Sequence, residues 1–197
     1  MSSTSILDAL QQQLGPDTIQ QISQKLGTDP GTASKAISTA LPFLLGGLSR
    51  NASSPQGAAD LDQALGAHDG SILDNLGGLL SGVAGGGILG HILGSRQPPI
   101  EQGVGRATGM NAQQVSQLLM MLAPLVMGVL GRMKKQQGLG PQQLPEVINQ
   151  GKAEIEKQVP SATGIGSILD MNHDGQIADD VARIGSSIVG GLFGKRS

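Results

Sequence analysis

The feature that most constrains the fold of this chain is an internal repeat, which appears when the 197-residue sequence is compared with itself. At a constant offset of 82 residues, and without a gap, six residues of the first half recur unchanged in the second half. They are Gly27, Ser34, Pro42, Gly46, Leu48 and Arg50, which recur as Gly109, Ser116, Pro124, Gly128, Leu130 and Arg132. The repeat predicts that the chain contains two similar halves.

A second repeat, at an offset of 105 residues, relates residues 68–76 to residues 173–181. The larger offset makes the second half longer, and its extra residues fall in the polar stretch 136–159, which predicts a solvated helix or an excursion from the fold. Because paired prolines argue against a continuous helix, we place the joint between the halves at residues 96–99. The prediction is one domain over 1–197, with halves of approximately 1–95 and 100–197.

The spacing of apolar residues near the N-terminus is helical. Apolar residues recur on one helical face at Ile6, Leu10 and Leu14, and Gly15-Pro16 ends the segment. A second helix ends at Gly27, and Asp29-Pro30 predicts the N-cap and first residue of a third. No stretch alternates apolar and polar residues as a strand requires. The predicted fold class is all-α, with two similar helical halves packed as one Gly-rich multihelical bundle.

Composition excludes several classes of function. The chain has no Cys, so thiol nucleophiles and thiolate metal sites are absent, and two Phe are its only aromatic residues, which leaves no platform for stacking bases. The net charge of −2 does not provide the excess of positive charge that is typical of proteins that bind nucleic acid. Neither a Ser-His-Asp arrangement nor a phosphate loop stands out, and we expect no enzyme. The opening residues lack a secretory leader, so a cytoplasmic location is expected.

Residues 170–181 have the spacing of an EF-hand or dockerin calcium loop. Oxygen ligands are expected from five residues, with a sharp turn at a glycine between them. The five are Asp170, Asn172, Asp174, Gln176 through its backbone carbonyl, and Asp180. Val181 stands where the bidentate Glu of such loops is found, so Asp180 would have to close the site. The alternative is a plain Asp-Gly turn followed by acidic residues that cap the next helix. It stays open because the first copy of the repeat keeps the Asp-Gly turn but has Leu65 and Ala67, which cannot bind a metal, at the positions of Asp170 and Asn172.

Five glycines recur at a strict spacing of four residues and would form one smooth ridge on a helix. They are Gly78, Gly82, Gly86, Gly90 and Gly94. Such a ridge lets another helix approach closely, and three interpretations stay open: a helix pair within the chain, a contact in a homo-oligomer or with a protein partner, and insertion into a membrane. The similar stretch 188–194 is a candidate partner for it.

Residues 22–36 resemble a helix-turn-helix. A recognition helix needs donors for base edges and phosphates, and this one offers Thr32, Ser34 and Lys35. The aligned positions of the second copy carry no cationic side chain. DNA binding is therefore kept only as an alternative.

The motif His-Asp-Gly-x-Ile-x-Asp, which starts at His68 and again at His173 and is followed by Gly-rich sequence, resembles the bacterial YidB-like proteins, the family of domain of unknown function 937. The resemblance implies a multihelical fold in a cytoplasmic bacterial protein and implies no activity. Together these observations predict a non-enzymatic protein that self-associates or docks a partner through its glycine ridge, with a calcium-type loop at 170–180. The alternatives are a DNA-binding protein and a membrane-associating helical protein.

Overall fold

The structure is a computed structural model that describes residues 5–67 and 85–158. The chain divides into two compact units, Met1–Gln158 and Val159–Ser197, and all described residues belong to the first. Those residues form α-helices and contain no strand, which confirms the predicted all-α class for this part of the chain. The helices are α1 (Ile6–Gln13), α2 (Pro16–Leu26), α3 (Pro30–Asn51), α4 (Pro55–Ala67), α5 (Gly85–Leu93), α6 (Gln97–Thr108), α7 (Ala112–Gln137) and α8 (Leu144–Gln158).

The first three helices begin and end where local sequence directs them. Ser5 caps α1 by accepting a hydrogen bond from the Asp8 N–H. Helix α2 ends at Gly27, whose φ of 65° is left-handed and therefore suits glycine. Helix α3 begins after Asp29, whose side chain accepts the Thr32 N–H at 2.9 Å. The predicted cap at Asp29 is confirmed.

The chain between α6 and α7 has the same local features as the chain between α2 and α3. Gly109 ends α6 with a φ of 78°, and the Asn111 side chain accepts the Gln114 N–H at the start of α7. Each of the two long helices, α3 and α7, contains one buried proline, Pro42 and Pro124 respectively. The two long helices therefore start in the same way and carry a proline at matching positions.

The chain leaves the α-helical conformation just before the paired prolines. A 3-10 turn, Gly94–Arg96, connects α5 to α6, and Pro98 and Pro99 lie in the first turn of α6. A proline is tolerated there because the N–H groups of the first turn have no intrahelical acceptor in any case.

The core lies around α3 and α7. Helix α7 is buried without interruption from residue 121 to residue 131, and it contacts α1, α2, α3, α4, α5 and α6. Helix α3 contacts α2, α4, α5, α6, α7 and α8. The small helices of the described part thus pack around two long apolar ones.

Helix α8 shows that the polar stretch 136–159 contributes to the core, so the expectation of a solvated helix or an excursion is wrong for it. Leu144, Ile148 and Ile155 are buried on one face. The helix runs antiparallel to α3, with Ser49 Oγ donating to Asn149 Oδ1 at 2.6 Å and Lys152 beside Gly46. Glu146, Glu156 and Lys157 are exposed, as expected for the polar face of an amphipathic helix.

Candidate interaction surface

Helix α5, which carries the described part of the glycine ridge, is held between α3 and α7. Leu89, Ile92 and Leu93 are buried, with at most 4% of each residue exposed. At the α3 side, a Cβ on Gly47 would lie only 2.6 Å from the Ile92 carbonyl oxygen, so the two backbones touch there. The Asn51 side chain donates to the His91 carbonyl at 2.7 Å and fixes the C-terminal end of α5.

At the α7 side, the close contact is between Gly85 and the Met120 carbonyl, because a Cβ at position 85 would overlap that oxygen. The carbonyl is available for a reason within α7. Pro124 has no N–H, so Met120 lacks the donor that residue i+4 supplies elsewhere in a helix. Glycine at position 85 lets the α5 backbone approach this carbonyl closely.

The exposed side of α5 carries three glycines, with the exposed His91 beside them. Gly86, Gly87 and Gly90 are exposed there, and we call these three residues the glycine face. A Cβ on Gly87 or Gly90 would meet nothing within 4 Å, and one on Gly86 would meet only the Met120 Sδ at 3.9 Å. The glycine face is therefore free of close contacts from the described residues.

The ridge differs from its predicted form at its C-terminal end. Gly94 has a φ of 53° and lies in the 3-10 turn after α5, so it does not continue the helix. Gly78 and Gly82 lie outside the described residues. Of the five predicted positions, the structure thus brings Gly86 and Gly90 together on one exposed helix face.

Several glycines pack within the chain and were not predicted from the sequence. Besides Gly47 and Gly85, a Cβ on Gly151 would lie 2.7 Å from the Ile6 side chain, where α8 meets α1. The spacing of Leu144, Ile148, Gly151 and Ile155, by four, three and four residues, is the signal that could have found the last of these.

The predicted calcium ligands Asp170, Asn172, Asp174, Gln176 and Asp180 lie outside the described residues. Within residues 5–67 and 85–158, no three His, Cys, Asp or Glu side chains are grouped as a metal site would require.

The helix-turn-helix candidate folds as two helices joined by a turn, which are α2 and the start of α3. Thr32 and Ser34 are partly buried, and Lys35 is exposed. In the second copy, Gln114 is already engaged: its side chain accepts the Asn111 N–H and donates to the Leu26 carbonyl at 2.9 Å. This glutamine links α7 to α2 and uses one of the two N–H groups of its amide to do so.

Two features describe the electrostatics of the described part. Lys134 near the end of α7 bonds both the carboxylate of Asp62, at 2.8 Å, and its backbone carbonyl, at 2.7 Å, which ties α7 to α4. At the start of α3, hydrogen bonds from the Thr32 hydroxyl and, to a smaller extent, from the Thr32 N–H lower the pKa of Asp29 from its ordinary value of 3.8, because they favour the ionised carboxylate.

A family model described as a bacterial protein of unknown function, DUF937, matches residues 8–133, which is more than half of the chain. The chain belongs to this family. The matched part of the DUF937 chain runs from α1 into α7, and it includes the turns at Gly27 and Gly109 and the whole of α5. Helix α8 and the predicted calcium loop lie beyond it. No curated protein and no solved structure matches the chain significantly.

Among the described helices, α7 alone is long and apolar enough to cross a membrane. Its most apolar window is 78% buried inside the protein, as expected for the core helix of a bundle.

Proposed function

We propose that this protein acts by association and not by catalysis, and that the glycine face of α5 packs against the same face of a second copy. The observation that carries the proposal is that Gly86, Gly87 and Gly90 are exposed on a helix whose other side is fixed in the core. Two faces without side chains can approach closely, and a self-complementary contact closes as a symmetric dimer.

The energetic cost of these glycines supports the proposal. Each glycine inside a helix costs about 0.5–1 kcal/mol relative to alanine. Neither contacts among the described residues nor a positive φ requires glycine at position 87 or 90. Packing against a further helix would offset that cost.

The test compares two substitutions of one type. Gly90→Leu places a large side chain on the glycine face, and Gly66→Leu places it on α4, where a Cβ also meets nothing within 4 Å. Both variants are expected to keep the helical circular dichroism of the wild type. We expect Gly90→Leu to lower the mass measured by light scattering after gel filtration, and Gly66→Leu to leave it unchanged.

A wild-type mass equal to that of one chain at every concentration would contradict the proposal, and so would an unchanged mass for Gly90→Leu. If the wild type does not bind a second copy but binds a different protein, and Gly90→Leu no longer binds that protein, the glycine face docks that protein. If it unfolds the chain, the face is packed within the chain, and the stretch 188–194 is then the candidate occupant.

We also infer that the bundle consists of two duplicated, interleaved halves. The matching turns at Gly27 and Gly109, the caps at Asp29 and Asn111 and the prolines in α3 and α7 support this inference. So does the packing across the halves, because α8 lies on α3 while α4 lies on α7. In this arrangement each half covers the long helix of the other.

The calcium loop at residues 170–180 remains a proposal from its ligand spacing. The light-scattering measurement is therefore repeated with calcium and with a chelator, together with thermal melts. A rise in melting temperature that requires calcium and is lost in Asp174→Ala would support a structural calcium site, and identical melts would assign the loop to a plain turn.

The alternatives make different predictions. A helix-turn-helix DNA-binding protein would bind duplex DNA with an affinity that falls with salt. A membrane-associating protein would co-sediment with liposomes. The association proposal, which includes a cytoplasmic location, expects neither result.

A further inference from the structure

The α5–α7 contact contains an accessible methionine in a chain that has no cysteine. Met120 is partly exposed, whereas the other methionines of the described part are buried. The exposed fractions of these four are 6% for Met110, 3% for Met121, 4% for Met127 and 4% for Met133. Among the described methionines, Met120 is therefore the one with the largest exposed fraction, and exposure favours oxidation by a small oxidant in solution.

The surroundings of Met120 make its chemical state matter for packing. Its carbonyl meets Gly85, and its Sδ lies beside Gly86, 3.9 Å from the position of a Cβ. Both neighbours are glycines, so the thioether covers the α5 backbone directly. A polar oxygen on this sulfur would stand against helix backbone and would need either a donor or water.

We propose that Met120 is a site of oxidation by hydrogen peroxide, and that its sulfoxide weakens the packing of α5 on α7. In the reaction the thioether sulfur attacks one peroxide oxygen. An S–O bond forms, the O–O bond breaks, and the second oxygen leaves as water with both hydrogens. The sulfur is oxidised by two electrons and the peroxide is reduced, so no further reactant is needed. Sulfoxide reductases reverse this kind of modification.

Oxidation at this position has a second consequence, which rests on the proposed docking through the glycine face. Met120 borders Gly86, so a loosened α5 no longer presents the face in a fixed position. We therefore expect the oxidised protein to associate less strongly with a second copy.

The experiment treats the full-length protein with hydrogen peroxide and follows each methionine by peptide mass spectrometry, including Met1 and Met171. Circular dichroism melts are recorded on the same samples. Two variants carry the same change on adjacent residues of α7: Met120→Leu removes the exposed thioether, and Met121→Leu removes a buried one. Leucine keeps the apolar volume of methionine but cannot be oxidised.

We expect Met120 to oxidise before the four buried methionines, and the melting temperature of the wild type and of Met121→Leu to fall on treatment. In Met120→Leu this fall should be lost. A buried methionine that oxidises as fast as Met120, or an equal fall in all three proteins, would overturn the inference.

Light scattering of the treated and untreated protein separates the two proposals. If the untreated protein is a monomer, the docking proposal fails while the oxidation site is still judged from the spectra and melts. If the untreated protein associates and selective oxidation of Met120 leaves both its mass and its melting temperature unchanged, the oxidation proposal fails alone.

Discussion

The two long helices start with caps that differ by a single functional group. Asp29 offers a carboxylate to the Thr32 N–H, and Asn111 offers an amide oxygen to the Gln114 N–H. Both satisfy one of the unpaired donors of a first helical turn. Only the carboxylate can be protonated, so the start of α3 depends on pH in a way that the start of α7 does not.

The pH dependence of this cap has a defined sign. Because the pKa of Asp29 is lowered in the folded protein, the ionised cap contributes stability above its ordinary pKa of 3.8 and loses that contribution as the pH falls through the folded value. The melting temperature of Asp29→Asn is expected to equal that of the wild type at neutral pH and to fall less than that of the wild type below pH 3.8. The measurement is melting temperature against pH, with Asp29→Ala as the variant that lacks the cap throughout. Parallel curves for wild type and Asp29→Asn would contradict the assignment.

Helix packing makes adjacent glycines of α3 unequal. A Cβ on Gly47 would lie 2.6 Å from the Ile92 carbonyl oxygen and 2.9 Å from its Cγ2, whereas one on Gly46 would make ordinary contact with Lys152 at 3.6 Å. We expect Gly47→Ala to lower the free energy of unfolding by about 1–3 kcal/mol, the usual cost of overpacking. Gly46→Ala should leave it unchanged or raise it by about 0.5–1 kcal/mol through helix propensity.

Denaturant unfolding followed by circular dichroism measures both alanine variants, since the chain has no Trp for fluorescence. Equal effects at the two positions would show that α5 does not lie against α3 as described.

Which features of the helices could be predicted from the sequence depends on how far apart in the chain the interacting residues are. Caps and helix ends depend on neighbours three or four residues away, so Gly15-Pro16, Gly27 and Asp29 placed the first helices correctly. Which face of a helix is covered depends on distant residues. The regular glycine spacing therefore indicated a smooth face on α5 but did not indicate that this face is exposed. The many charged residues of 136–159 led to the prediction of a solvated segment, although α8 has a buried apolar face.

For the whole molecule, the proposed interleaving of two halves implies that each half depends on the other. Helix α3 is covered by α6, α7 and α8, all of which come later in the chain. We expect residues 1–95 alone to show little helix by circular dichroism, because the apolar surface of α3 would be left in water. Mixing them with residues 96–197 should restore helix. Cooperative unfolding of either fragment by itself would contradict the interleaving.

The contact of Gly85 with the Met120 carbonyl ties together residues that are far apart in the chain. The carbonyl receives no N–H from position 124 because that residue is proline, and α5 can approach it because position 85 has no side chain. In evolutionary terms, glycine should be retained at position 85 wherever α5 packs on the carbonyl of residue 120, because any Cβ there would overlap the oxygen.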